Sequence, residues 1–352
     1  MRNRLFINSA SGTLLFLLNL AIAFILSPIM VRQLGNRDYG IWDLLLGLCG
    51  YLGLLEVGVG PAIIRFIAKS ASQENTLEMR RTYITALFAL TTTGVLCLGL
   101  MSLISLNPYS ILNLHRQESP HLPLLCVLGG ANLGVHFTGM ASSAYLMGLQ
   151  QHYRINVLRI LLAVISAAST YAALVYGGGN RLVWLSSILL AGNIIQYTII
   201  YLWAARHLGI WGTSPQYFSK YSLKALLTFG INSFLLMLSG RIQRQSIPFV
   251  ISHTLGIATI VFYSIPNRLS EYAINLLAAA GFPLSPLFSA LEAKSGMDAA
   301  RDLWIQTNRW QEILMTLLAL GLGFLGADFI GLWIGPEYAE KGNLILIFLC
   351  VA

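Results

Sequence analysis

Long apolar blocks follow one another along this chain, separated by short polar stretches. Mainly apolar runs occupy 8–31, 40–67, 82–106, 121–148, 155–177, 181–205, 224–251, 257–288 and 308–334, and a tenth opens near 341. The longest polar intervals are 69–81, 206–222 and 292–309. A run of about 20 such residues spans a bilayer. Lipid cannot satisfy backbone polar groups, so each run must be a helix or a strand of a closed barrel. Unbroken apolar stretches without two-residue alternation select helices. The pattern predicts an all-α polytopic membrane protein.

The blocks repeat. Pro28 and Pro248 are 220 residues apart, and the pairs Leu34-Gly35 and Leu255-Gly256 are 221 apart. Further on, "SILNLHRQE" near 110–118 and "FIGLWIGPE" near 329–337 share an aliphatic stretch followed by an acidic residue at an offset of 219. Six helices per repeat is an even number, so both halves start on the same side. The expected architecture is two parallel six-helix repeats around a central cavity, with the substrate path between them. Their expected bounds are an N-terminal lobe over 1–206, a cytoplasmic linker over 207–223 and a C-terminal lobe over 224–352. On this offset the C-terminal lobe is incomplete, and the full gene is expected to encode further spans.

Composition agrees. Apolar types make up 56% of the 352 residues and charged ones 10%, with a mean hydropathy of +0.69, whereas soluble domains carry roughly a quarter charged residues. The formal charge of +8 raises the question of nucleic acid, but the basic residues sort by side. Fourteen of the 22 Lys and Arg, with Arg154 and Arg159 among them, fall on the side of the N-terminus, and five fall on the other. By the positive-inside rule the N-terminus is cytoplasmic. An anionic inner leaflet then accounts for the excess charge, and no nucleic-acid partner is implied. Cys49, Cys97, Cys126 and Cys350 sit in apolar runs without metal-ligand spacing and read as small core residues; no metal site is expected.

The stretch "PIMVRQLGNRDYGIWDLLLGLCGYLGLLEVGVGPAIIRFIAK" (28–69) carries Leu34-Gly35, Asp38-Tyr39-Gly40, Gly58, Gly60 and a basic end at Arg65 and Lys69. It resembles the opening helices of bacterial O-antigen and polysaccharide flippases, the polysaccharide-transporter branch of the superfamily that also holds multidrug extruders and the lipid II flippase. "VFYSIPNRLSEY" (261–272), "FPLSPLFSAL" (282–291) and "LWIGPEY" (332–338) resemble later signatures of that branch. The resemblance implies alternating-access transfer of an undecaprenyl-diphosphate-linked oligosaccharide from the inner to the outer leaflet. It implies no resident cofactor, and coupling stays open between H+, Na+ and the membrane potential. Membrane lipids, a polysaccharide polymerase and a chain-length regulator are the implied partners. The first helix offers only Asn19 as a strongly polar group, where the lipid II flippase keeps arginines.

Ionisable residues inside spans are costly and mark cavities or partners. Here they are Asp43 and Glu56 in the second span, Arg241 and Arg244 in the seventh, and Arg268 with Glu271 in the eighth. Arg241 and Arg244 share a helical face, and "RIQRQS" has no acid within a turn. Guanidinium forks suit diphosphate oxygens, so Arg241, Arg244 and Arg268 are the candidate diphosphate site. The competing reading is mutual neutralisation, since three arginines meet three carboxylates and Arg268 has Glu271 one turn away. Glu56 is the candidate coupling or gating carboxylate. Asp43, near an outer helix end, reads as half solvated. Arg65 and Lys69 line the expected cytoplasmic entrance. The histidines show no shared-face spacing, the tryptophans near span ends read as interfacial anchors, and the in-span prolines read as kinks.

Three function classes follow. A flippase fits best. A cation-coupled multidrug extruder of the same superfamily needs acids in the N-terminal half, where Glu56 supports it. An integral-membrane polymerase or ligase needs a long outer loop, and every outer loop in this reading is short. No Gly-x-x-x-x-Gly-Lys phosphate loop occurs, which removes a nucleotide-driven pump.

Overall fold

A computed structural model describes residues 2–56, 58–112, 119–209, 215–281, 291 and 296–351, and among these the chain is helical with no strand. Helix α1 is Arg2–Leu52, followed by a 3-10 turn at Gly53–Glu56 and α2 at Val59–Ser72. Then come α3 (Thr76–Leu106), a single turn α4 (Pro108–Ile111), α5 (Leu122–Gly148), α6 (His152–Tyr176) and α7 (Arg181–Leu208). The second group is α8 (Lys220–Leu255), α9 (Ile260–Gly281), α10 (Met297–Trp333) and α11 (Pro336–Val351). Among the described residues, six stretches are long and apolar enough to cross a membrane. They are Ile7–Glu56, Thr76–Leu106, Leu122–Gly148, His152–Tyr176, Gly178–Leu208 and Met297–Trp333.

The first of these is two passes. Gly35 breaks α1 with φ 73° and ψ 171°, a conformation only glycine adopts without strain. Nothing stands where its Cβ would be, so backbone conformation and not space requires glycine there. The run expected as one span at 40–67 is likewise divided. The 3-10 turn and Gly58, at φ 64°, separate the second arm of α1 from α2, and Glu56 stands at the break. The apolar letters of "GLLEVG" conceal this interruption, which the glycines at its ends permit.

Hydrogen bonds between helix ends show that the passes run up and down. At the Gly35 end, Arg181 donates to the Gln33 carbonyl at 2.6 Å, and Tyr338 donates to Asn36. At the opposite end, near Lys69, Asn8 donates to the Gln150 carbonyl at 2.9 Å. There Arg80 donates to the Leu208 carbonyl at 2.9 Å, capping the last turn of α7 before Gly209 in the left-handed region. Asn75 and Ser219 cap α3 and α8 by accepting from the Glu78 and Ser222 amides.

One apolar cluster sits within α2, α3, α5 and α7 around Ile63, Ile67, Tyr83, Phe137 and Tyr145. Small residues set its spacing: a Cβ at Gly94 of α3 would stand 2.8 Å from the Gly134 carbonyl oxygen of α5. A second cluster joins Val31, Tyr39 and Ile41 of α1 to Val261 and Ile265 of α9, Ile330 of α10 and Leu346 of α11. Trp42 and Trp333 depart from the anchor reading. Trp42 is buried, and Trp333 stacks on Phe24 at 4.8 Å, because both face the junction between the two helix groups. Trp184, Trp304 and Trp310 are exposed, as interfacial anchors are.

Candidate functional site

The second arm of α1 carries most of the junction. It presents Gly40, Gly47 and Gly50 to the second group. A Cβ at Gly40 would collide with the Ile257 carbonyl, and one at Gly50 would collide with the Gln245 side-chain amide. That close approach lets polar side chains bridge the groups. Arg268 of α9 donates to Asp43 of α1 at 2.8 Å, with side-chain exposures of 23% and 11%. The same guanidinium sits 5.1 Å from the Tyr39 ring centroid. Ser27 and Tyr272 hydroxyls pair at 3.2 Å, the Trp333 indole donates to the Phe24 carbonyl at 3.1 Å, and Tyr51 pairs with Ser246. These bridges all use α1 residues from Phe24 to Tyr51. Toward the other end α1 turns to α6: Asn8 accepts from the Tyr153 amide at 3.0 Å, and Asn156 donates to Ser11 at 3.1 Å.

Asp43 is therefore more buried than its position near a helix end suggests, because Arg268 and Tyr39 cover it. Arg268 takes a partner from the other helix group, 225 residues away, and not Glu271 one turn along its own helix. Glu271 is half-buried and lies near enough to Tyr263 for its charge to act there. Arg241 and Arg244 are on α8, one helical turn apart, but their side chains lie outside the described residues. Pro283, Pro286 and Arg116 also lie outside them. Arg65 is exposed and stands 5.0 Å from the Phe229 ring centroid. Lys69 is exposed and lines a small cleft with Gln73, Glu78 and Tyr221 at that end of the bundle.

Glu56 opens onto a polar cluster inside the first group. It is half-buried at the helix break, and its charge reaches Tyr197 of α7. Tyr197 is locked by packing, since its ring fills the space a Cβ at Gly139 would need. Its hydroxyl pairs with His136 Nδ1 at 2.8 Å, and the Arg159 and Gln196 side chains lie close to it. Asn193 donates to Asn132 at 2.7 Å. Beside this network a cleft of about 210 Å³ is lined by Asn19, Arg159, Ser166, Asn193 and Gln196 together with apolar side chains.

The sequence reading counted Arg159 on the N-terminal side of the membrane, within the run 155–177. It is half-buried on α6, seven residues after His152 and so about 10 Å along the helix. The signal was present as polar pairs at helical spacing within apolar runs: Asn132 with His136, Asn193 with Gln196 and Tyr197, and Arg159 with Ser166 two turns on. Singly, each reads as an isolated polar residue.

Known proteins share this architecture. An inward-facing multidrug-resistance MATE-family transporter of the MOP superfamily superposes with a TM-score of 0.69 at 14% identity, covering 96% of this chain and 78% of that one. The Vibrio cholerae MATE transporter VcmN gives 0.69 at 14% identity, covering 99% and 80%. At this identity the likeness establishes the fold. In sequence, the chain is 20% identical over 355 residues to the uncharacterized membrane protein EpsK of Bacillus subtilis, covering 97% of this chain and 67% of EpsK. The sequence pattern of the family described as polysaccharide biosynthesis protein matches residues 6–292. The fold is thus one that MATE-family transporters of the MOP superfamily also have. The match over most of its length shows that this chain belongs to the polysaccharide biosynthesis protein family.

Proposed function

We propose that the protein is a flippase carrying an undecaprenyl-diphosphate-linked oligosaccharide, an O-antigen or capsule and exopolysaccharide repeat unit, across the bacterial cytoplasmic membrane by alternating access. The observation that carries this reading is the clustering of the polar bridges of α1 to the second group at one end of the bundle. Cross-group bridges from α1 gather between Phe24 and Tyr51, and toward the Lys69 end the bonds of α1 run to α6. With the N-terminus cytoplasmic, as the basic residues argue, these α1 bridges lie on the outer side. The exposed Arg65 and Lys69 stand at the inner entrance. Arg241 and Arg244 receive the diphosphate, and Asp43 with Arg268 acts as the outer latch that must open for release. A polymerase and a chain-length regulator take the product.

The test replaces both Arg241 and Arg244 with Gln. Membrane level should stay near normal while export of lipid-linked glycan is lost, and Lys at both positions should return part of it, since a point charge attracts phosphate without the bidentate fork. Recovery of export in those Gln variants by deleting Glu56 or Glu271 overturns the diphosphate role. Cysteine labelling should place position 75 inside and position 118 outside; the reverse overturns the orientation.

Glu56 supports a second reading, a cation-coupled drug extruder, because it stands at a helix break beside Tyr197 and His136. Glu56→Gln should then abolish sodium- or proton-dependent efflux. Under the flippase reading the same carboxylate couples glycan export to H+, Na+ or the membrane potential, and efflux of drugs is unaffected.

A further inference from the structure

The cleft around Arg159 has a composition that selects its ligand. A guanidinium and the amides of Asn19, Asn193 and Gln196 line it with the Ser166 hydroxyl, and no carboxylate is among its lining residues. Asn19 is exposed at its rim. A cation entering meets a like charge with no acid among the lining residues. An oxyanion meets a charge-assisted donor surrounded by neutral donors, which favours its charged form in apolar surroundings. Arginine within a span is expensive unless it faces such a site or a partner. Arg159 lies close to the Tyr197 hydroxyl, and a guanidinium has five N–H groups, more than one neutral neighbour can take up.

We infer that this cleft in the first helix group, formed by Arg159 with Asn19, Ser166, Asn193 and Gln196, is an oxyanion-binding subsite for the transported molecule, separate from Arg241 and Arg244. The inference rests on the flippase reading only for what carries the oxyanion. Two sources share the chemistry: the diphosphate of the lipid carrier and the carboxylate of an acidic sugar.

The experiment uses the full chain with Asn19→Cys at the rim, and the wild-type protein as the blank for its four native cysteines. Two methanethiosulfonate reagents, one with a sulfonate and one with a trimethylammonium head, are each normalised to their rate on a free small thiol. Cys at 19 should react faster with the anionic reagent, by about tenfold. Adding Arg159→Gln should remove that preference, and Arg159→Lys should keep part of it. Farnesyl diphosphate should protect Cys at 19 where farnesol does not; protection by methyl glucuronide alone assigns the subsite to an acidic sugar and equally supports it. Equal rates for the two reagents, a preference unchanged by Arg159→Gln, or no protection by either anion overturns the inference. Should Arg159→Gln fail to fold, the reagent preference and the protection assay with Arg159 intact still decide. None of these readings uses glycan export, so they fail independently of the Arg241 and Arg244 test.

Discussion

Two arginines sit among apolar helices here, and their surroundings assign them opposite tasks. Arg268 is closed in: Asp43 takes its charge at 2.8 Å and the Tyr39 ring covers it. Arg159 is only half-buried, lies close to Tyr197, and lines a cleft with no carboxylate among its lining residues. In the first case the protein supplies the counter-charge itself, so the arginine joins two helix groups. In the second no acid lines the space beside it, so a visiting anion has somewhere to bind. What separates latch from receptor is thus the carboxylate opposite, and the sequence places Asp43 225 positions from the arginine it holds.

The contrast can be broken at the latch first. Asp43→Asn leaves Arg268 without its counter-ion in a nearly closed site. That should cost about 3 to 5 kcal/mol if the site is dry and lower the amount of folded protein recovered from membranes. The double variant Asp43→Asn with Arg268→Gln should return most of that level. A single variant as stable as wild type in detergent melting shows the pair to be wet and the contrast unfounded.

A smaller effect is expected from the backbone that brings the pair together. Gly40→Ala forces a methyl group against the Ile257 carbonyl, and overpacking of this kind costs about 1 to 3 kcal/mol. Because it separates the groups without touching either charge, it should loosen the latch, measured as faster labelling of a cysteine introduced at Ser27. Tyr272→Phe removes one hydroxyl pair with Ser27 and should cost about 0.5 to 1.5 kcal/mol, read by the same melting assay. Least of all for stability should be Arg159→Gln, within about 1 kcal/mol, the scale of a single net hydrogen bond, while it changes the charge preference of the cleft. An Arg159→Gln protein that melts as early as Asp43→Asn makes Arg159 a structural partner and erases the distinction.

Several features were legible in the sequence because they depend on spacing along the chain. The apolar runs and the helical stagger of Arg241 with Arg244 need only local periodicity. The break at Glu56 was less so, since leucines on either side read as uninterrupted span while Gly58 sets a backbone angle that hydropathy does not record. Trp42 and Trp333 fell near span ends, where membrane anchors are common, and only the junction shows them packed against the other helix group.

The sequence by itself determined that this is a helical membrane protein resembling polysaccharide transporters, where most of its apolar runs lie, and which charges must be accommodated in the membrane. Those follow from transfer free energies and helical repeat, both local properties. Only the tertiary structure decided that Arg268 answers to Asp43 and not to Glu271, and that Arg159 lines a cleft with Asn19, Asn193 and Gln196. Such pairings depend on which helices lie side by side, and residues 225 positions apart become neighbours through glycine contacts and kinks that no single segment encodes.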